Sequence, residues 1–90
     1  MASAVKIRNL SPSDYGAVIG VIDEWWGGRP MAGMLPRLFF EHFAVTSFAA
    51  ERNGTLAGFL AGFCSQSQPG EAYIHFAGVE PGERGGGLVV

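Results

Sequence analysis

Charge is scarce in this chain and cysteine almost absent. Of its 90 residues 16% are charged, with acids outnumbering bases eight to six. A formal net charge of −2 offers no basic field to a phosphate backbone, so a nucleic-acid partner is not expected. Cys64 is the single cysteine. That excludes an internal disulfide and a multi-cysteine metal site, and it fits a reducing compartment, with the cytoplasm as the expected location. No uninterrupted apolar run approaches the roughly 18 residues of a membrane span. The opening residues Met1 to Lys6 lack a charged segment followed by an apolar one, so neither a membrane association nor an export signal is expected.

What is present is a greasy globular composition, 48% hydrophobic, in a length suited to one small domain over residues 1–90. Val5, Ile7 and Leu10, with Lys6 and Arg8 interleaved, predict a half-buried strand over about residues 4–9. Ser11-Pro12-Ser13-Asp14 joins an N-cap serine, a proline at the first helical position and an acid at the third, which opens a helix. Tyr15, Val18, Ile19, Ile22, Trp25 and Trp26 then recur at spacings of three and four until Gly27-Gly28 closes it. A second helix is predicted over about 36–43, because Pro36 suits a helix start and not an interior.

From Val45 to Arg52 the chain reads as extended. Asn53-Gly54 supplies the two positive-φ residues of a tight hairpin turn, and Leu56 to Cys64 returns, with Gly58 and Gly62 marking a bulge or a close backbone approach. After the polar turn Ser65 to Gly70, Ala72 to Val79 forms a further strand, whose mixed residues suit cover on both faces. The expected class is α+β, with a mostly antiparallel sheet of about four strands and two N-terminal helices.

The last strand runs into Val79-Glu80-Pro81-Gly82-Glu83-Arg84-Gly85-Gly86-Gly87-Leu88. A strand followed by a glycine-rich turn and a helix start presents successive backbone N–H groups to an anion such as pyrophosphate, and a β-carbon would block that approach. By composition alone, the same glycines read equally well as a flexible tail. Together with the order of elements, the segment Ala72 to Leu88 resembles the coenzyme A motif of the GNAT superfamily of acyl-CoA-dependent N-acyltransferases. Arg84 stands at the motif's first position, Gly87 at its glycine, and Val89 where the family has a small residue.

The resemblance implies acetyl transfer from acetyl-CoA to a primary amine of a small molecule or peptide, without a metal. It implies contacts from Phe76, Ala77, Gly78 and Val79 to the pantetheine arm, and from Arg84, Gly85, Gly86, Gly87 and Leu88 to the pyrophosphate. It also implies a chain truncated before the family's C-terminal half, which raises the alternative of an inactive fragment that persists by self-association. His75 is the candidate base through water, beside a plain hydrogen-bonded strand histidine as the commoner role. Its predicted face mates are Tyr73, Ala77 and Val79. Tyr73 and Glu71 are weaker catalytic candidates, the first otherwise a core ring and the second a solvated acid. Trp25, Trp26 and Arg29 fall where the family lines its acceptor pocket. Of the two tryptophans one is expected in the core, and the usual role of such an arginine is a surface ion pair. His42 is expected to be structural and Cys64 a small core residue. The apolar edge of strand 72–79 is expected to form a homodimer contact.

Overall fold

The computed structural model describes residues 4–83. A 3-10 turn, Pro12–Asp14, leads into helix α1, Tyr15–Trp25. Pro12 lacks the N–H that a helix start leaves unpaired in any case, and the Ser11 N–H donates to the Asp14 carboxylate at 2.8 Å. Arg8, on strand β1 (Lys6–Asn9), grips the same carboxylate with both terminal nitrogens, at 2.7 and 2.8 Å. The guanidinium, with help from the Ser11 N–H, holds Asp14 below the usual carboxylate range against the opposing effect of burial. Arg8 also reaches Glu51 at 3.2 Å, so one cation ties β1, the helix start and the next strand together.

Val18, Ile22 and Trp25 point α1 into the core. The helix stops because Gly27 and Gly28 both take positive φ, 71° and 89°, a backbone shape that side chains resist. Helix α2 is a single turn, Leu38–Glu41, shorter than the predicted 36–43. Pro36 holds Leu35 extended, φ −119° and ψ 92°. The first bonds beyond it have three-residue spacing, Phe39 N–H to the Pro36 carbonyl at 3.3 Å and Phe40 N–H to the Arg37 carbonyl at 2.9 Å, so regular helix begins only at Leu38. Another 3-10 turn, Ala44–Thr46, occupies the first part of the segment expected to be extended, so the next strand begins at Phe48.

Strands β2 (Phe48–Arg52), β3 (Thr55–Cys64) and β4 (Ala72–Val79) complete a four-stranded antiparallel sheet in the order β1-β2-β3-β4. The β2–β3 turn is the expected one, with Asn53 at φ 55° and Gly54 at φ 76°. Both helices lie on one face of the sheet. There Phe39, Phe40, Ile22 and Trp25 pack on Ala49, Phe59 and Ala61, and the small alanines leave room for the rings. Tyr15 meets Phe40 edge-on at 5.3 Å, and the Arg37 guanidinium covers the Tyr15 ring at 3.9 Å.

Gly62 is the tightest point of the sheet. Its amide N–H donates to the buried Ser47 hydroxyl at 3.1 Å, and its carbonyl accepts from Thr46 Oγ1 at 2.7 Å. Ser47 is the buried polar residue of the core, and its own carbonyl accepts from the Leu10 N–H at 3.1 Å and the Asn9 amide at 3.2 Å.

Two expectations are corrected. β4 is not covered on both faces: it is an outer strand of the described sheet, with Ile74 61% exposed. Cys64 is not in the core, because it sits exposed at the last position of β3. Among the described residues no helix is long and apolar enough to cross a membrane.

Two predictions follow from this framework. Asp14→Asn should lower the urea unfolding free energy at pH 7 by about 1 kcal/mol, since the pair is only part-buried. Asp14 has a folded-state pKa below its unfolded one, so its contribution is complete above the ordinary Asp range near 4. The difference between the two proteins should then vanish as the pH falls through the lowered value, which urea titrations at successive pH values check. Gly62→Ala would set a β-carbon 2.6 Å from the Tyr73 carbonyl oxygen, and the same titration should show a loss of about 1–3 kcal/mol.

Candidate functional site

The centre of the site is a bulge in β4. Ala61 pairs with Phe76, but Gly62 pairs with Ile74, so His75 is one residue more than the ladder needs. A bulge of this kind interrupts the two-residue alternation and lets neighbouring side chains share a face. The His75 ring stacks on Phe39 of α2, with centroids 4.8 Å apart and planes 16° apart. The Phe76 ring meets Trp26, just past α1, edge-on at 4.8 Å. Both therefore face the helices. The predicted grouping of Tyr73, His75, Ala77 and Val79 on one face is corrected accordingly. Tyr73 and His75 share the helical side, with rings 6.2 Å apart, and beyond the bulge that side passes to Phe76 and Gly78.

Gly78 is where Trp26 touches the strand. A β-carbon there would lie 2.7 Å from the Phe59 ring and 2.7 Å from the Trp26 ring. The glycine thus admits an aromatic pair, Trp26 and Phe59, against β4, at 6.4 Å between centroids.

His75 is anchored at its far nitrogen. Nε2 lies 2.6 Å from the Met34 carbonyl oxygen. Met34 closes the 3-10 turn Ala32–Met34, and that turn is held by α1, because the Asp23 carboxylate accepts the N–H groups of Met31 and Ala32, each at 2.8 Å. The connection between the helices, a route from Asp23 to the ring of His75, is thus hydrogen-bonded at both ends. Asp23 escaped the sequence reading. Its position late in a helix is the signal, because a carboxylate there opposes the helix dipole and is kept for another task.

The other candidates fall into place around this centre. Tyr73 is 53% exposed, so its ring lies at the rim and not in the core, beside Phe63 at 5.2 Å. Glu71 is exposed in the turn before β4, where its N–H donates to the Gln68 carbonyl. Trp25 is the core tryptophan, 4% exposed and stacked on Phe59, which leaves Trp26 as the one at the site. Arg29 is exposed and has no ion pair among the described residues. His42 is exposed just past α2. The described residues contain no cluster of His, Cys, Asp and Glu able to hold a metal ion. Arg84, Gly85, Gly86, Gly87 and Leu88 lie outside the described residues.

By sequence, no protein-family model and no curated protein matches this chain. By structure it does match. A diaminobutyrate acetyltransferase from Paenibacillus lautus, solved with L-2,4-diaminobutyric acid and coenzyme A, superposes with a TM-score of 0.76 at 22% identity, over 96% of this chain and 52% of that one. A GNAT family acetyltransferase from Brucella melitensis, solved with acetyl-CoA, superposes with a TM-score of 0.62 at 18% identity, over 96% of this chain and 61% of that one. The chain has the GNAT fold. It spans about half the length of the first of these GNAT structures and about three fifths of the second.

Within this GNAT sheet the contact between Gly78 and Trp26 is open to a direct test. Gly78→Ala should push the Trp26 ring away from β4 and expose it further to water. The expected result is a red-shifted tryptophan emission with a loss of about 1–3 kcal/mol in unfolding free energy. Unchanged emission would mean that the ring does not rest on the glycine.

Proposed function

We propose that this chain belongs to an N-acetyltransferase that moves an acetyl group from acetyl-CoA to a primary amine of a small molecule or peptide. The observation that carries the reading is β4 itself: a strand at the rim of a GNAT sheet, bulged so that a histidine and an aromatic pair line its helical side. The two structural neighbours, solved with coenzyme A and with acetyl-CoA, support it.

β4 suits the pantetheine arm, a chain bearing two amides. The Glu80 N–H donates to Ala57 at 2.9 Å, which fixes the phase of the ladder. By alternation Gly78 and Phe76 turn their backbone groups toward β3, and Ala77 turns its own toward the rim. An extended amide chain can add there like another strand. Arg84, Gly85, Gly86, Gly87 and Leu88 are proposed to give backbone N–H groups to the pyrophosphate, on the strength of their sequence. Acetyl-CoA supplies the activated acyl group as its thioester.

This chain's residues would then hold the amine and manage its proton. Trp26, with Arg29 nearby in the connection after α1, is proposed to bound the acceptor side, with Trp25 supporting it from the core. His75 is proposed to take the amine proton, directly or through water, a contribution of about 10²- to 10⁴-fold for a positioned base. Tyr73 and Glu71 stand beside it as weaker candidates.

A second reading is favoured by one specific feature. Tyr73 and Ile74 are exposed side by side on the outer strand, where a second copy can pair through residues 72–79. In that reading the chain is an inactive, self-associating fragment of a GNAT protein.

Calorimetric titration with acetyl-CoA separates the two. Acetyl transfer predicts binding in the micromolar range, about −8 kcal/mol. Absence of heat at millimolar ligand, together with a dimer by light scattering, would establish the second reading instead.

A further inference from the structure

The neighbourhood of His75 says more than that a histidine is present. Resting on the acetyl-transfer reading, we infer that Asp23 is a positioning residue. Through the Ala32–Met34 turn and the Met34 carbonyl, it fixes His75 as the Nε2–H tautomer and reserves Nδ1 for the amine proton.

A backbone carbonyl oxygen can only accept a hydrogen bond. At 2.6 Å from it, Nε2 of the neutral ring must therefore carry the hydrogen, and the lone pair resides on Nδ1. Nδ1 has no hydrogen-bond partner among the described residues, whereas His75 Nε2 does. Yet no buried side-chain nitrogen or oxygen in the described structure lacks a partner. Among the described residues, then, Nδ1 is left open. Stacking on Phe39 fixes the plane of the ring, and the bond from Nε2 fixes which edge of it faces Met34.

The carbonyl that selects the tautomer is held in its turn. Met34 N–H donates to the Met31 carbonyl at 2.9 Å, and Met31 and Ala32 are the two residues whose N–H groups Asp23 accepts. Gly27 and Gly28 send the chain back beneath α1 so that the carboxylate can reach them. Loss of that carboxylate frees the turn, and with it the carbonyl to which His75 is pinned.

In the transfer, the amine nitrogen bonds to the thioester carbonyl carbon and the carbon–sulfur bond breaks. The proton lost by nitrogen goes to Nδ1. The imidazolium so formed keeps its Nε2–H on the Met34 carbonyl, and the Nδ1 proton then passes to the departing thiolate.

The chain contains two histidines, so ring-15N NMR of histidine-labelled protein at pH 8 gives two sets of signals, with His75→Gln to assign them. The expected pattern is a pure Nε2–H tautomer for His75 and a mixture for the exposed His42. Asp23→Ala should turn the His75 signals into a mixture and lower kcat at least tenfold, with the KM for acetyl-CoA unchanged. Asp23→Asn, which keeps an acceptor oxygen, should retain the tautomer. A protonated Nδ1 in the parent protein overturns the inference. So does an unmixed tautomer in Asp23→Ala. If Asp23→Ala fails to fold by circular dichroism, the parent spectrum and Asp23→Asn still decide. The spectra need no acyl donor, so absence of turnover in the parent protein overturns acetyl transfer without touching the tautomer result.

Discussion

Everything about the sheet beyond its first hairpin depends on how the backbone of Gly62 is satisfied. β2 ends its pairing with β3 at Phe48 opposite Leu60, so the N–H and C=O of Gly62 lose their strand partner on that side while still buried. Leaving them unpaired would cost on the order of 1–3 kcal/mol each. The Ser47 and Thr46 hydroxyls take over both. That substitution lets β3 run on past the end of β2. On the other side of Gly62 the Tyr73 carbonyl approaches so closely that no β-carbon fits, and there the ladder slips by one residue.

The slip is what assembles the site. Without it His75 and Phe76 would point to opposite faces, and only one could meet the helical layer. With it, one stretch of β4 presents a histidine to α2 and a phenylalanine to Trp26 at the end of α1. The connection between those helices runs over the same place, fastened to α1 by Asp23 and to β4 by Met34. Three segments distant in sequence thus converge through hydrogen bonds and ring contacts, with no charged pair among them.

The sequence showed the framework more readily than the centre. The Asn53-Gly54 turn, the start of the first helix and the order of elements along the chain rest on local chemistry, and residue types at short spacing report it directly. The length of α2 was less legible because the chain on either side closes into 3-10 turns through contacts made across the fold. Gly62 announced a bulge or a close approach, and both occur there, but its position on β3 did not show that the extra residue falls on β4 at His75. Tyr73 and His75 do share a face, but Ala77 and Val79 do not join them, because strict alternation fails across the bulge. Asp23 could be suspected only from its poor fit to a helix end.

The strands lie in the sheet in the order in which they occur along the chain. β2, β3 and β4 need only the chain between Phe48 and Val79, so two successive hairpins can close on local information, while β1 must wait for both helices and return to β2 across them. Contacts close in sequence form quickly and distant ones slowly. The bulged strand that carries His75 is therefore part of the half built from local pairings. The Arg8 clasp on Asp14 and Glu51 ties β1 and the start of α1 to that half.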